Sequence, residues 1–304
     1  MDLNPLRLVA RHTPQPLQGM AAMGGSLLDD TAQLLQSGIP PGDDLDAWDP
    51  EYIRQTVPLM RSVFGTYFRG EVRGLENIPE EGPSLLVGNH SGGTMIADTF
   101  VFAQNFYEHF GPDRRFHQLA HSVAARMPWM GLIRHWGTVV ASHENAKRAF
   151  KRGAPVLVYP GGDYETFRPS THSDKIEFGG RKGFIKLALE QSVPIVPVVS
   201  IGGQETALFV TRGETAARVT GLAKLARIKV LPVSIGPPFG INVLDLPGRL
   251  PLPAKITIQV MPPVDLRERF GPKPDPEDVY DELTDEMQDT LADLSEERTL
   301  PLVG

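Results

Sequence analysis

Asn89-His90-Ser91-Gly92-Gly93, followed by Asp98, combines an imidazole, a flexible turn and a carboxylate. A neutral histidine held by a carboxylate is a general base near pH 7. The glycines let another molecule approach, and Asp98 can return its carboxylate to His90. Two further stretches carry polar groups on glycine turns. One is Pro160-Gly161-Gly162-Asp163-Tyr164-Glu165 with Arg168 close behind, and the other is Arg181-Lys182-Gly183. Arg181 and Lys182 at a helix start suit a phosphate, because cations and free backbone N–H groups meet there.

Short buried elements must position these groups. The apolar run Ser84–Val87 predicts a strand that ends just before His90, and Thr94 predicts the N-cap of a helix reaching about Tyr107. Pro155–Tyr159 predicts a second buried strand, ending at Pro160-Gly161-Gly162. Phe116–Ala120, Gly137–Ala141 and Pro194–Ser200 predict further strands, with helices over Glu144–Lys151 and Arg181–Gln191. Short buried strands alternating with helices predict an α/β fold with a mostly parallel central sheet flanked by helices. Ligands of such sheets bind beyond the carboxyl ends of the strands, where His90 and Gly161-Gly162 would both lie.

The rest of the chain divides around this unit. Residues 1–46 are rich in Pro, Gly and small residues and predict an N-terminal arm, with a short helix near Leu27–Leu35. Asp49-Pro50-Glu51 predicts a helix start, with Ile53, Val57, Met60, Phe64 and Tyr67 at helical spacing and a kink at Pro58. Residues 47–265 form the α/β domain. Within it, residues 208–263 give no clear pattern beyond strands at Lys229–Ile235 and Lys255–Met261. Residues 266–304 form an acidic helix and tail, starting at Asp275-Pro276 with Val279, Leu283, Met287, Leu291 and Leu294 on one face.

Of 304 residues, 41% are hydrophobic and none is cysteine, which excludes disulfides, cysteine metal sites and a thiol nucleophile. No apolar run reaches the roughly 18 residues of a spanning helix, and no secretory leader is visible at the start. The net charge of −7 is unevenly placed. Residues 275–304 hold 11 acids and one base, a charge of −10, so the other 274 carry +3. A mildly basic body suits an anionic lipid surface or a phosphorylated substrate, and is far from the basic stripe of a nucleic-acid binder. Lys147, Arg148, Lys151 and Arg152 add a basic helix face.

The ordered set of motifs resembles the PlsC-type glycerolipid acyltransferases. It runs from Val72-Arg73-Gly74-Leu75-Glu76-Asn77-Ile78-Pro79 through the Asn89-His90 turn and Val156-Leu157-Val158-Tyr159-Pro160-Gly161-Gly162. Arg181-Lys182-Gly183-Phe184 and Val193-Pro194-Ile195-Val196-Pro197-Val198 follow. The resemblance spans about Tyr52 to Val264. It implies transfer of an acyl chain from acyl-CoA or acyl carrier protein to a lipid hydroxyl. His90 would be the base and Asp98 its partner, with no cofactor or metal. It also implies peripheral attachment to the cytoplasmic face of a membrane. Asn89, Gly92, Gly93, Gly161, Gly162, Glu165, Arg168, Arg181, Lys182 and Gly183 are the implied substrate-binding set.

Two departures matter. The family spaces His and Asp by four residues, whereas seven separate His90 from Asp98. In a continuous helix the two would stand about 12 Å apart, so pairing demands a non-helical turn at Ser91-Gly92-Gly93. The family's third motif, Pro-Glu-Gly-Thr-Arg, is here Pro160-Gly161-Gly162-Asp163-Tyr164, without the phosphate-binding acid and arginine. That turn is similar to diacylglycerol acyltransferase relatives, which use neutral acceptors. A lysophospholipid remains the expected acceptor, on Arg168, Arg181 or Lys182. A neutral-lipid acyltransferase and a non-catalytic lipid-binding relative are the alternatives. His117-Gln118-Leu119-Ala120-His121 has zinc-protease spacing but lacks the required Glu. Ser91 lacks a nucleophile elbow.

Overall fold

The computed structural model describes residues 18–26, 42–121, 131–219, 230–238, 240–243, 245 and 250–300. Helices α1 (18–26), α2 (Pro50–Met60), α3 (Ala97–Phe110), α4 (His143–Lys151), α5 (Gly162–Thr166), α6 (Gly183–Gln191) and α7 (Pro276–Glu296) carry most of the packing. The strands are β1 (Glu71–Arg73), β2 (Leu85–Gly88), β3 (His117–Ala120), β4 (Thr138–Val140), β5 (Val156–Val158), β6 (Ile195–Ile201), β7 (Leu208–Thr211), β8 (Val233–Gly236), β9 (Gly240–Val243) and β10 (Thr257–Val260).

Seven strands form one sheet in the order β1-β10-β6-β2-β5-β3-β4. Strands β6, β2, β5, β3 and β4 run parallel, while β10 lies antiparallel to β6 and carries β1 parallel to itself. The mostly parallel sheet flanked by helices is the architecture the sequence predicts. Alternation along β2 explains its uniform apolarity. Leu85 and Val87 point into a core shared with α4, α6 and α7, and Leu86 points into one shared with α2 and α3. A strand buried on both faces has no side for polar residues.

Asp49 caps α2, its carboxylate accepting the Glu51 and Tyr52 N–H groups. Past Pro58, which donates no N–H, the helix loosens into a π-turn at Arg61–Gly65. Asp275 caps α7 in the same way, and its five apolar residues are all buried against the sheet. Each such side chain contributes about 1.5–3 kcal/mol.

Two expectations are corrected. The N-terminal arm holds a helix at 18–26, packed at Gly19 against Gln55 and Leu59 of α2. The helix expected near Leu27–Leu35 lies outside the described residues, as does Lys229 of the strand expected over Lys229–Ile235. Thr94 is not the N-cap of α3, which starts at Ala97. Strands β7, β8 and β9, in a stretch without clear pattern in sequence, pair as a second, antiparallel sheet.

Candidate active site

His90 follows β2 and Tyr159 follows β5, its neighbour in the sheet, with Val87 paired to Val158. Both therefore emerge at the carboxyl edge. Asn89 fixes the exit. Its side-chain amide donates to the Ser200 carbonyl at 2.8 Å and its oxygen accepts the Ser200 N–H at 2.7 Å, extending the β2–β6 ladder by one side chain. The imidazole stacks on Tyr159, with centroids 4.1 Å apart and planes inclined by 14°. A Cβ on Gly88 would stand 2.8 Å from the Tyr159 ring, so the ring occupies space that only glycine leaves.

His90 Nδ1 lies 3.3 Å from Asp98 Oδ2. Asp98 is 1% exposed, and the same oxygen accepts the Ser91 N–H and hydroxyl while the other accepts the Thr99 N–H. An acceptor-only carboxylate beside Nδ1 selects the tautomer with Nδ1 protonated, leaving Nε2 as the basic nitrogen. The loop between them makes this possible. Gly92 and Gly93 have φ of +89° and +65°, and Ile96 is also left-handed at φ +37° before α3 begins. The left-handed glycines break any α-helical path, Gly93 opening a 3-10 turn that ends at Met95, and Ile96, a β-branched residue rarely left-handed, adds a second bend.

Gly92 and Gly93 do not open space for a ligand, as the sequence reading had them do. A Cβ on Gly92 would meet the Gly203 carbonyl, and one on Gly93 would meet the Asp245 carboxylate and Phe209. The Gly92 and Thr94 amides also have acceptors already: Gln204 Oε1 at 3.2 Å and Asp245 Oδ2 at 2.8 Å. Asp245 is fully buried and takes the Thr94 hydroxyl and the Ser234 hydroxyl as well. It thereby ties the His90 turn to the second sheet. Sequence reasoning missed Asp245 because it follows a β9 it did not foresee.

The second stretch wraps around the same turn. Gly161 and Gly162 lead into α5, which carries Glu165 inward to 0% exposure. Glu165 accepts the His90 N–H at 2.9 Å on one oxygen and the Glu177 N–H at 3.0 Å on the other. Burial pushes its carboxyl up to about 7, against the opposing pull of Arg168 and the His90 N–H. A Cβ on Gly161 would strike Glu165, which explains glycine there.

Arg168, expected to meet a phosphate, is turned onto backbone carbonyls instead. It is buried, and its guanidinium donates to the carbonyls of His90, Glu165, His172 and Ser173. It holds the turn from beneath. Arg181 donates to the carbonyls of Pro160 and Gly161 and pairs with Asp163, but keeps 41% of its side chain exposed at the rim. Lys182 pairs with Glu277 of α7. Gly183 opens α6, with His143 beyond it. Three of the four bases on α4 and its C-cap are engaged: Lys147 by Glu190, Arg152 by Asp46, and Arg148 by the Asp43 carbonyl and Asn145. His117 lies on a strand, not a zinc-binding helix. It is buried with Nδ1 on the Gly137 carbonyl, and burial draws it down to about 4. No metal-binding cluster exists among the described residues.

Comparison with known proteins places this geometry. The family model "Acyltransferase" matches residues 69–201. An uncharacterized protein of Mycobacterium tuberculosis is 29% identical over 246 residues, covering 80% of this chain and 66% of the relative. The chain thus spans just under two thirds of that relative's length. The DGAT1/2-independent enzyme synthesizing storage lipids of Bos taurus is 29% identical over 153 residues, 50% of this chain and 44% of the enzyme. Among solved structures, the 1-acyl-sn-glycerophosphate (LPA) acyltransferase PlsC of Thermotoga maritima aligns over 94% of this chain and all of its own, with a TM-score of 0.52 and 15% identity. The acyltransferase family model thus matches the stretch that holds His90, Asp98 and the Gly161-Gly162 turn, and the chain shares the fold of PlsC.

Proposed function

We propose that the protein is an O-acyltransferase that moves a fatty acyl chain from an acyl thioester to a lipid hydroxyl. The His90–Asp98 pair at the carboxyl edge of the sheet carries this reading. His90 Nε2 takes the proton of the acceptor hydroxyl, and the oxygen attacks the thioester carbonyl. The carbon–sulfur bond breaks, and the imidazolium returns the proton to the departing thiolate. Asp98 stabilises the imidazolium, so no acyl-enzyme, metal or cofactor enters. The donor is acyl-CoA or acyl carrier protein, and the reaction takes place at the cytoplasmic face of a membrane. No helix among the described residues is long and apolar enough to cross one.

The acceptor reading moves from a lysophospholipid towards a neutral lipid hydroxyl. Of the three cations that could meet a phosphate, Arg168 is spent on carbonyls, Lys182 is paired, and Arg181 is held by two carbonyls and Asp163. A buried dianion without a cation is costly. The likeness to an enzyme synthesizing storage lipids agrees with a neutral acceptor. A lysophospholipid keeps one supporting observation, the exposed rim position of Arg181.

The test is incubation with radiolabelled acyl-CoA or acyl carrier protein thioester and competing diacylglycerol and lysophosphatidic acid. Release of free thiol with a new acylated lipid is expected, diacylglycerol is expected to win, and His90→Ala is expected to lose at least about 10²-fold in rate. Unchanged turnover in folded His90→Ala removes the mechanism, and no product from any pair leaves a lipid-binding protein without chemistry.

A further inference from the structure

The small sheet is built inside out. In most exposed antiparallel sheets the apolar side chains face the core and the polar ones face water. Here Phe209 of β7 and Ser234 of β8 point inward, Phe209 against Gly93 and Ser234 onto Asp245. The alternate positions Leu208, Val210, Ile235, Ile241 and Val243 face outward, with exposures from 40% at Ile235 to 70% at Ile241. The register aligns them. Leu208 pairs with Ile235, and Ile235 with Ile241, so the aliphatic side chains form a row across all three strands. Not one of the twelve strand residues is charged.

The apolar surface continues beyond the sheet. The Leu250 N–H donates to the Pro237 carbonyl just after β8, and the Tyr67 hydroxyl donates to the Pro251 carbonyl. Those bonds tie exposed Leu250 and Tyr67 to the chain that leaves β8. With the five on the strands, these make seven of the ten large apolar side chains exposed among the described residues. A gathering of this kind marks an interaction site rather than scattered surface residues.

We propose that the outer face of β7-β8-β9 is the surface on which the protein sits on a lipid bilayer, its aliphatic row entering the boundary between headgroups and acyl chains beside the His90 turn. This rests on the acyltransferase reading, which requires substrates drawn from a membrane. A charge-free face offers no complement to an acidic carrier protein or to CoA phosphates, whereas it matches hydrocarbon. Its inner face, through Phe209 and Asp245, is part of the wall of the His90 turn. Docking therefore places the catalytic edge at the membrane. Attachment of this kind is insensitive to salt, unlike one made through lysines and arginines.

The experiment is sedimentation of the full chain with phosphatidylcholine vesicles at low and high salt. Ile241→Asp plus Val243→Asp is expected to weaken partitioning at least about tenfold, or 1.4 kcal/mol, with unchanged circular dichroism. Ile241→Trp tests the face in the opposite direction. It is expected to bind at least as well as the wild type and to gain emission quenched by brominated lipid. Transfer to a vesicle-embedded acceptor is expected to fall with binding in the double variant, while transfer to a short-chain monomeric acceptor persists. Unchanged vesicle binding by the double variant, with no quenching in Ile241→Trp, overturns the proposal. So does a wild-type dimer that the double variant splits without losing vesicles, which makes the face a self-interface. Loss of vesicle binding in a protein that transfers no acyl chain to any acceptor upholds the face and removes the acyltransferase reading instead.

Discussion

The imidazole of His90 lies flat on the ring of Tyr159, 4.1 Å between centroids, while its edge meets Asp98 at 3.3 Å. One contact fixes the plane of the ring and the other its rotation within that plane. Tyr159 is itself anchored, its hydroxyl accepting the Thr99 hydroxyl at 2.9 Å. Tyr159→Phe keeps the stack and is expected to retain most activity. Tyr159→Leu removes about 0.5–1.5 kcal/mol of ring–ring interaction. It is expected to lower kcat by up to about tenfold with little change in KM, which steady-state kinetics on both variants will show.

Asp98→Asn preserves shape but removes the charge that, in the proposed mechanism, stabilises the imidazolium. An amide can also present its NH₂ to Nδ1 and favour the wrong tautomer. A fall in kcat of about 10²-fold or more is expected, with KM near that of the wild type. Equal kcat in the two proteins would mean that Asp98 serves only the Ser91 and Thr99 amides.

Asp245 accepts three donors from Thr94 and Ser234. Replacing it with leucine strands those donors, at about 1–3 kcal/mol for each buried group left unpaired. Asp245→Leu is expected to lower both the melting temperature and kcat. Asp245→Asn, which keeps an acceptor oxygen, is expected to recover much of both. Ser234→Ala, which removes one donor and leaves Thr94 held, is expected to retain kcat within about twofold. Thermal melts and initial rates on the three variants decide the matter.

Glu165 makes stability fall with rising pH. Its carboxyl titrates near 7 in the folded chain, against an ordinary 4.5 when unfolded. Between those values the folded state holds a proton that the unfolded state has released. Stability is therefore full below about pH 4.5, declines as pH climbs towards 7, and is level above it with respect to this group. Glu165→Gln cannot ionise and is expected to flatten this decline by nearly one proton. Denaturant unfolding from pH 5 to 8, compared between the two proteins, measures the difference.

Much of this was readable from the chain because it is governed by neighbours in sequence. The stripe Val279, Leu283, Met287, Leu291 and Leu294 follows from helical periodicity, and all five are buried. Placing His90 at a strand end required only an apolar run followed by Gly-rich residues. The need for a non-helical turn before Asp98 followed from distance alone. Thr94 misled because its hydroxyl is an equally good cap or tertiary donor, and a carboxylate 151 positions away decides which. Arg168 misled because a sequence shows its charge and not its burial. The second sheet was hidden by strands of four residues whose aliphatic side chains face outward, against the pattern that usually identifies an exposed strand.

The site draws on residues spread from His90 to Asp245, and the sheet that carries it is completed by β10, which slots between β6 and β1. On the ribosome, β1 emerges long before the strand it pairs with, and Thr94 long before the carboxylate that receives it. The contacts that hold the His90 turn are therefore complete only when most of the chain has been made. Contacts this remote in sequence close slowly, and they leave β1 and β2 exposed meanwhile. The order of synthesis thus separates the appearance of His90 from the assembly of the site around it.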